Sequence, residues 1–425
     1  MTATRSRPTD GPQSSGLLPM RQAVLVFLSF AFAYFFSALV RAVTATLAPQ
    51  FSAELNLSSG DLGLLAGAYF FGFAAMQLPL GSALDKFGPR RVLLAFLAVA
   101  VVGCAAFAMA RSFLGLTLAR GLIGVGVAAC LMAPMTTFRR SFSPVAQMRA
   151  NSWMLMTGSL GMLASTLPVQ WLLPSLGWRG LFWVVAALVA LSLLTIARLV
   201  PHDGPVRHGP VDAAPGYAQV FCHPTFLRFA PMGFFQYGGL VAVQSLWAGP
   251  WLVRVCGWTP AESAQGLFGI NAAMLLSFMA WGVVLPRLYA RGWTAQRLVA
   301  LGMPSSIAAL LLAVWLGPRA TAWAWGLFCV TSTFVSLSQP AIGQAFAATL
   351  AGRALSAYNL AIFSGVFTVQ WGIGLVIDRL RASGWSDVSA FRGAFALFAV
   401  CCALSYLWFL WRDDSVARAE PKFPT

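Results

Sequence analysis

The chain has 425 residues, of which 59% are hydrophobic and 9% charged, and its mean hydropathy is +0.75. Soluble domains carry roughly 25% charged residues, so this composition excludes a soluble globular protein. The formal net charge of +16 would suggest nucleic acid as a partner if the chain were soluble. Because the basic residues lie in short segments between apolar runs, they instead indicate membrane topology, and we expect no nucleic-acid partner.

Each helix that crosses a bilayer needs about 20 apolar residues, and twelve such segments fit the chain. The predicted fold class is therefore an all-α polytopic membrane protein with twelve transmembrane helices. In chain order, we predict the spans at 23–47, 62–80, 91–110, 113–138, 151–173, 180–200, 227–251, 264–285, 298–316, 320–346, 355–377 and 393–411.

The spans form two sets of six, separated by a central loop at 201–226 that is rich in Pro, Gly and His. The predicted organisation is a six-helix bundle at 23–200 and another at 227–411, with polar tails at 1–22 and 412–425, the first of them disordered. The two halves also share a short sequence pattern, because span six starts at Trp178-Arg179-Gly180 and span twelve starts at Phe391-Arg392-Gly393. Repeated halves with a substrate site between them, near the bilayer midplane, are typical of secondary transporters.

The distribution of basic residues predicts the orientation of the chain. Of the 28 Lys and Arg residues, 19 lie on the side of the bilayer that holds both tails and the central loop, and seven lie on the other side. Positive charge favours the cytoplasmic side, so we expect both termini and the central loop to be cytoplasmic, in an inner membrane. The lipid of that membrane is then a partner of the chain. We expect the protein to be a monomer.

A polar turn follows span two and reads Gly81-Ser82-Ala83-Leu84-Asp85-Lys86-Phe87-Gly88-Pro89-Arg90-Arg91. This pattern resembles the loop between helices two and three of the major facilitator superfamily (MFS), where it forms part of the gate that closes the cytoplasmic side. The alternative is an ordinary basic cytoplasmic loop. The residues that carry the resemblance, and to which it assigns the gate, are Gly81, Asp85, Lys86, Gly88, Arg90 and Arg91.

Two basic residues are predicted to lie inside spans, Arg41 in span one and Arg120 in span four, whereas all twelve acidic residues lie in loops, tails or span ends. A charge at the centre of a span costs roughly 2.5–3.5 kcal/mol on insertion scales, so such residues usually face a watery cavity or an ion path. Embedded cations without an embedded anion predict a positively charged site that an anionic substrate could complete.

Arg41 belongs to a polar stripe at helical spacing with Tyr34, Ser37 and Thr44. The alternative for Arg41 is a position nearer the outer surface, where its side chain would reach the lipid headgroups. Arg120 begins the sequence Arg120-Gly121-Leu122-Ile123-Gly124-Val125-Gly126, which resembles a signature of the family's fourth helix. In the family this arginine is often tied to proton coupling or substrate charge. The alternative is a structural arginine bonded to carbonyl groups.

In the second half, the candidate site residues are neutral. Tyr237 and Gln244 lie seven residues apart in span seven, on one predicted helix face, and Asn271 lies in span eight. Each is as consistent with bonding between helices as with substrate binding, and the same holds for other polar side chains in spans. These are Gln77, Gln236, Asn359 and Gln370. Trp247 and Trp251 are expected in a cavity wall or in an interface belt.

The resemblance implies a secondary transporter that works by alternating access, with no enzymatic activity and no cofactor. The sequence has no ATP-binding loop, and its seven cysteines lie mostly in spans, which predicts neither a disulfide nor a metal framework. We expect a small organic anion, such as a carboxylate, as the substrate. Export of hydrophobic or drug-like compounds is the alternative, although span five lacks the glycine-proline run of drug antiporters, and a transporter-like receptor is a remote one.

Overall fold

The computed structural model describes residues 18–202 and 217–412, apart from the side chains at 144, 145, 348 and 349. Most of the predicted tails and of the predicted central loop lie outside these residues, but residues 20–22 of the tail predicted to be disordered are helical. Within them every regular element is helical, which confirms the all-α class. The helices of the first half are α1 (Met20–Leu55), α2 (Ser59–Ala75), α3 (Gln77–Phe87), α4 (Pro89–Met109), α5 (Phe113–Val127), α6 (Ala129–Ser141), α7 (Pro144–Ala164) and α8 (Leu167–Leu199).

The second half contains both long helices and short helical pieces joined end to end. Its α-helices are α9 (Tyr217–Cys222), α10 (Pro224–Met232), α11 (Gly238–Ala242), α12 (Ala248–Arg254), α13 (Pro260–Ala290), α14 (Ala295–Leu316), α15 (Ala322–Ser332), α16 (Ser338–Ala345), α17 (Ala348–Ala382) and α18 (Asp387–Trp411). The pieces are joined by two π-helical turns, Gly233–Tyr237 and Val243–Trp247, and by the 3-10 turn Thr333–Leu337. A further 3-10 turn, Gly317–Arg319, follows α14.

Eight helices of the described residues are long and apolar enough to cross a membrane, and the bent pair α2 and α3 makes a ninth if it is one span. The remaining three predicted spans, five, seven and ten, coincide with interrupted helices. Span five breaks at Ser165 and Thr166, span seven contains the π-helical turns, and span ten contains a 3-10 turn. The multi-pass helical fold is confirmed, and the count of twelve spans stays a prediction.

The structure changes the bounds of several predicted segments. Helix α9 and the first turn of α10 lie within the predicted central loop, where Pro224 starts α10 and the His223 side chain accepts a hydrogen bond from the Thr225 N–H at 3.2 Å. Spans five and six meet inside α8 at Gly177, whose φ of 62° is a left-handed conformation that favours glycine. The helix of span eight, α13, continues beyond the predicted end of the span, through Pro286 to Ala290.

The two halves begin equivalent helices in the same way. Helix α2 starts with a capping box in which Ser58 and Asp61 bond each other's backbone N–H groups. Helix α13, at the corresponding place in the second half, starts with a capping box of Thr259 and Glu262. Each box satisfies two N–H groups that a helix start leaves without partners. The hydrogen bonds from Thr259 also lower the pKa of Glu262.

The short sequence pattern shared by spans six and twelve corresponds to equivalent contacts. Arg179 donates a hydrogen bond to the carbonyl of Ala110, at the end of α4, at 3.3 Å. Arg392 donates to the carbonyls of Val314 and Trp315, in the last turn of α14, at 2.8 and 3.3 Å. Each arginine therefore sits at the negative end of the helix three spans before its own, where a cation is stabilising. The repeat that the sequence suggested is thus visible in the structure.

Arg179 also fixes the end of α1, beyond the predicted first span. It donates a hydrogen bond to Oε1 of Glu54, while the Trp178 indole donates to Oε2 at 2.5 Å. Burial raises the pKa of Glu54, but these two hydrogen bonds and the Arg179 charge outweigh it, so the pKa lies below its usual value. The contact joins α1 to α8 at this end of the first half.

Glycines bring the helices of the first half into backbone contact. A Cβ atom on Gly124 of α5 would lie 1.9 Å from the Tyr69 carbonyl oxygen on α2, and one on Gly126 would lie 2.2 Å from the backbone nitrogen of Ala100 on α4. No side chain fits in these spaces, so α5 packs directly on the backbones of α2 and α4. This close approach agrees with the packing role predicted for the two glycines.

Replacing Gly124 with alanine should destabilise the fold because the new methyl group would overlap the α2 backbone. Overpacking of this kind costs about 1–3 kcal/mol, so we expect a lower midpoint of thermal unfolding for the purified protein in detergent. Gly269→Ala on α13 is the matched control, since a Cβ there meets nothing within 4 Å. Equal unfolding temperatures for the two variants would contradict the packing described here.

Candidate functional site

The two ends of the helix bundle are named here by one residue each. The Gly88 face is the end that carries the turn between α3 and α4, and the Asp378 face is the end that carries the turn between α17 and α18. Helix α1 runs from the Gly88 face to the Asp378 face. The candidate substrate site lies between these faces, where α1 meets α2 and α5.

Arg120 is held in the middle of the first half by α1 and α2. Its guanidinium is 1% exposed, and Nη2 donates a hydrogen bond to the Thr44 hydroxyl at 2.6 Å and lies 3.5 Å from the Arg41 carbonyl oxygen. The guanidinium also stands 5.0 Å from the centre of the Tyr69 ring, a cation–π contact. Within the described part of the chain, Nε and Nη1 of Arg120 have no hydrogen-bond partner.

Arg41 is partly buried on α1, and phenols from three helices surround it. The groups that act on its charge are Tyr34 of the same helix, Tyr69 of α2 and Tyr237 of the second half. Its Nε atom is buried without a hydrogen-bond partner among the described residues. No carboxylate in that part of the chain is among the groups that act on Arg41 or Arg120. Two cations therefore share a region lined by phenols and lacking a counter-ion.

The predicted stripe on α1 is oriented inward. Ser37 is buried, and its carbonyl oxygen lies 3.5 Å from the Tyr69 hydroxyl. Tyr34 is 8% exposed and packs against α7, where a Cβ on Gly158 would lie 2.5 Å from its ring. Arg41 shares this environment, so the structure brings the predicted α1 residues together with Arg120.

Two candidate site residues of the second half bond to each other. The Gln244 amide donates a hydrogen bond to Oδ1 of Asn271 at 2.9 Å, and Asn271 donates to the Leu267 carbonyl at 2.9 Å. Both side chains are buried. Gln244 lies inside the second π-helical turn, whereas Tyr237 ends the first and faces Arg41. Only Tyr237 of these three is thus described beside the two arginines.

Other neutral candidates also join helices. Gln236 donates to the Cys402 carbonyl on α18 at 3.1 Å, and Gln370 donates to the Ser245 hydroxyl at 3.0 Å. Gln77 bonds the Phe73 carbonyl of its own chain segment at 3.3 Å. Trp247 and Trp251 are fully buried and donate to the carbonyls of Gln370 and Ala320, both at 3.1 Å, so they lie in the core and not in an interface belt.

Sequence reasoning missed two phenols that extend the site. Tyr69 contacts the Arg120 guanidinium, yet it lies in the run Tyr69-Phe70-Phe71, which resembles an ordinary lipid-facing segment. Tyr358 is fully buried near Tyr237 and donates a hydrogen bond to the Ser338 hydroxyl at 2.7 Å. The signal available in the sequence was a polar atom in an apolar span, because a buried phenol needs a hydrogen-bond partner.

The turn at the Gly88 face is much shorter than its sequence predicts, because residues 81–87 belong to α3 and the helices are interrupted at Gly88 alone. Gly88 has a φ of 82° and separates α3 from α4, which begins with Pro89. Arg90 donates a hydrogen bond to the Ala197 carbonyl, near the end of α8, at 2.6 Å. Asp85 and Lys86 are exposed, and the Lys86 amine stands 5.2 Å from the Phe87 ring centre. The remaining residues to which the resemblance assigns a gate are Gly81, which is partly buried, and Arg91, which is exposed.

The halves are joined at the Asp378 face by a carboxylate and a helix start. Asp378 of α17 accepts hydrogen bonds from the backbone N–H groups of Ser59 at 3.0 Å and Gly60 at 2.6 Å, in the first turn of α2. Arg381 donates to the Ser59 hydroxyl at 3.0 Å and pairs with Asp387 at 2.8 Å. A carboxylate is stabilising at the positive end of a helix. We call the contact of Asp378 and Arg381 with α2 the α17 latch.

Backbone packing extends the junction inward from the α17 latch. A Cβ on Gly374 of α17 would lie 2.2 Å from the Ser59 carbonyl oxygen, and one on Gly63 of α2 would lie 2.4 Å from that of Gln370. On α12, a Cβ on Gly249 would lie 2.6 Å from the Ala45 carbonyl oxygen of α1. A cleft of about 300 Å³ remains among the ends of these helices at the Asp378 face, and none of the candidate site residues lines it.

At the Gly88 face, the helix ends that follow spans four and ten pack within their own halves. Helix α6 packs on α1, α3, α4 and α7, and helix α16 packs on α10, α14 and α17. The α17 latch and the glycine contacts beside it join the two halves at the Asp378 face, and α3 of the first half also packs on α17 of the second. A junction of two helical halves and a cationic site between the faces are features of a transporter built from repeated halves.

The fold and the site define a multi-pass helical transporter. The sequence matches the profile of the Major Facilitator Superfamily over residues 30–369, and the chain belongs to this family. It is therefore a secondary transporter and not an enzyme.

Curated relatives include transporters of organic acids. A 3-(3-hydroxy-phenyl)propionate transporter of Escherichia coli is 26% identical over 72% of this chain and 74% of its own. A hexuronate transporter of the same species is 23% identical over 85% and 87%. A probable sulfoacetate transporter of Cupriavidus necator is 29% identical, but that match covers 42% of each chain.

Two further comparisons concern drug export and the fold. The multidrug resistance protein MdtM of Salmonella typhimurium is 24% identical over 71% of this chain and 72% of its own. Among solved structures, a bacterial homologue of the human lysosomal transporter Spinster, in an inward-facing and unoccupied conformation, superposes with a TM-score of 0.75. It is 17% identical, and the match covers 96% of this chain and 100% of that one, which supports the fold alone.

Removing the α17 latch should open the Asp378 face. In Asp378→Ala the first turn of α2 loses its two hydrogen bonds to the Asp378 carboxylate and keeps the one from Arg381, so a probe should reach the inner surface of the cleft more often. The measurement is labelling of a cysteine introduced at Ala48, which is 2% exposed, by a charged thiol reagent, with Cys222 replaced by serine. We expect faster labelling in Asp378→Ala.

Asp387→Ala is the matched control, because Asp387 pairs with Arg381 within the second half and makes no recorded bond to α2 in the described residues. Labelling at Ala48→Cys should change less in this variant. Equal rates with and without Asp378 would show that the latch does not hold this face closed.

Proposed function

We propose that the protein transports a small organic anion, such as a carboxylate, and that Arg41 and Arg120 bind its negative charge. The observation that carries this proposal is the pair of embedded guanidinium groups with buried nitrogen atoms that lack hydrogen-bond partners in the described residues. A buried cation without a counter-ion is costly, and a bound carboxylate would remove much of that cost.

The two arginines take different parts in this proposal. Arg120 is already bonded to Thr44 and stacked against Tyr69, so it supplies a fixed positive charge. Arg41 is partly exposed and is the group that the anion contacts directly. Tyr34 and Tyr237 lie beside Arg41 on opposite halves of the chain, where their hydroxyls can donate to the same anion. Ser37 is buried on the same stripe of α1, whereas Gln244 and Asn271 bond each other in the second half.

The relatives support the chemical class of the substrate. Hydroxyphenylpropionate and hexuronate are carboxylates and sulfoacetate is both a carboxylate and a sulfonate, so the transporters named for them handle organic anions. Identities of 23–29% support this class without singling out one compound. No embedded carboxylate is described beside the two arginines that could carry a coupling proton. Binding of an anion between them is therefore compatible with uniport, with anion exchange or with entry of the substrate together with its own proton.

Alternating access would follow from rocking of the two halves about this site. The excess of Lys and Arg in the segments on one side of the membrane supports a cytoplasmic Gly88 face with cytoplasmic termini. In that orientation the α17 latch closes the outer side, and the substrate reaches Arg41 from the cytoplasm. Asp85, Lys86, Arg90 and Arg91 form the inner gate in the opposite state, where Asp85 gains a partner.

Export of hydrophobic or drug-like compounds is the second candidate. The similarity to a multidrug resistance protein over 71% of this chain favours it. The two candidates differ in charge, because an exporter of lipophilic compounds would bind neutral or cationic molecules and would not depend on Arg41.

The test is ligand-dependent thermal unfolding of the purified protein with mono- and dicarboxylates, sulfonates, sugar acids, neutral lipophiles and cationic drugs. A ligand at one hundred times its dissociation constant stabilises by about 2.7 kcal/mol, which shifts the unfolding midpoint measurably. We expect at least one anion to stabilise the wild type. In Arg41→Ala the Kd for that anion should rise about tenfold to a hundredfold, the value of a charge-assisted hydrogen bond.

Arg319→Ala is the control for loss of a positive charge, since Arg319 is exposed on a 3-10 turn outside the site. Arg41→Lys keeps the charge but loses the planar fork, so it should bind with intermediate affinity. Stabilisation by neutral or cationic lipophiles alone, unchanged in Arg41→Ala, would reject the anion and favour the exporter. Uptake or efflux of the stabilising ligand in proteoliposomes then gives the direction of transport.

A further inference from the structure

The central site has an aromatic wall on the side of α2 that faces Arg120. Tyr69 and Phe73 lie one helical turn apart, and their rings stack with centroids 6.2 Å apart and planes at 19°. Phe363 of α17 stands 4.5 Å from Phe73 and 6.2 Å from Phe70, so the wall crosses from one half to the other. Phe73 and Phe363 are partly exposed, whereas Phe70 is buried behind them.

The wall is continuous with the cationic groups. Tyr69 carries the Arg120 guanidinium over its ring at 5.0 Å and is one of the three phenols around Arg41. Tyr34 and Tyr237 also act on the charge of Arg41. A ligand whose charge contacts Arg41 would therefore place the rest of its body against phenol and phenyl rings.

Four pairs of polar side chains in the second half already bond each other, and among the described residues of that half the buried amide oxygens without a partner are Oε1 of Gln236 and Oε1 of Gln370. A sugar acid carries several hydroxyl groups, and each one that enters a buried site without a hydrogen-bond partner weakens binding. The amides and hydroxyls that could serve such groups bond one another between helices, at 2.7 to 3.0 Å. These pairs are Gln244 with Asn271, Gln339 with Asn359, Tyr358 with Ser338 and Gln370 with Ser245.

From the wall and the paired amides we infer that the substrate is a carboxylate with an aromatic or otherwise apolar body, and not a polyhydroxylated acid. The inference rests on the proposed function, because it assumes that Arg41 binds the carboxylate. Phe73 and Phe363 act as specificity residues: they contact the body of the ligand and take no part in holding its charge. Binding of the ring to a partly exposed aromatic surface releases water from both, which favours association.

The experiment compares the Kd values of three probes for the purified full-length protein: phenylacetate, galacturonate and 2-phenylethanol. Phenylacetate and 2-phenylethanol share a ring and differ in charge, while phenylacetate and galacturonate share a charge and differ in body. We expect phenylacetate to bind at least about tenfold more tightly than either of the others, since both the charge and the ring are needed.

A variant pair locates the ring wall. Phe363→Leu keeps an apolar side chain of similar volume but removes the aromatic face, so the phenylacetate Kd should rise about threefold or more. Phe71→Leu is the matched control, because Phe71 lies on the same aromatic stretch of α2 but is 61% exposed. We expect no change in its phenylacetate Kd. An unchanged Kd in Phe363→Leu would overturn the assignment of this wall.

The remaining outcomes separate the inference from the proposed function. Galacturonate binding as tightly as phenylacetate, or more tightly, and losing affinity in Arg41→Ala, would overturn the aromatic substrate class and leave the anion transporter intact. Binding of 2-phenylethanol without binding of any anion would overturn both.

Discussion

The structure is organised by one electrostatic constraint, a guanidinium that is buried in an apolar helical bundle and has no carboxylate of the described residues beside it. Arg120 is 1% exposed, and its partners are a hydroxyl, a carbonyl and the face of a phenol ring. These dipoles offset part of the cost of removing the charge from water, but none of them neutralises it. The region therefore keeps a positive potential, and the neighbouring Arg41 adds to it.

That constraint explains why the surrounding helices approach so closely. Arg120 reaches α1 and α2 at once because Gly124 of α5 and Gly72 of α2 let the two backbones meet: a Cβ on Gly124 would lie 1.9 Å from the Tyr69 carbonyl oxygen, and one on Gly72 would lie 2.2 Å from the Gly121 carbonyl oxygen. A bulkier residue at these positions would push α5 away and leave the guanidinium without Thr44 and Tyr69. The glycine sequence that follows Arg120 thus both allows the helices to pack closely and keeps the guanidinium in contact with its partners.

Local sequence patterns predicted the features that depend on neighbours along the chain. The helical class, the break at Gly88 and the repeated arginines Arg179 and Arg392 all follow from composition, turn chemistry or spacing. The inward stripe of Arg41 follows in the same way. Contacts between distant segments could not be predicted, because no local signal records which helix lies opposite. Asp378 and Ser59 are 319 positions apart, and Asp378 resembles any acid at a span end.

Helical spacing is a weaker guide where the helix is not regular. The prediction that Tyr237 and Gln244 share one face rests on their separation of seven residues, and two π-helical turns change the number of residues per turn at these positions. Tyr237 faces Arg41, and Gln244 instead bonds Asn271.

The backbone contacts between α2 and α17 have a mechanical consequence. Where Gly63 and Gly374 meet the opposite backbone, the two helices touch main chain to main chain, so no long side chain interlocks at those two points. A contact of this kind can pivot while the helices stay in van der Waals contact, whereas the Phe363 ring, which packs against Phe73 further along, would have to shift. The contacts between α2 and α17 can thus serve as the pivot about which the two halves rotate. A small rotation about this pivot would produce larger displacements at the parts of each half that lie farthest from it, where the openings to either side of the membrane form.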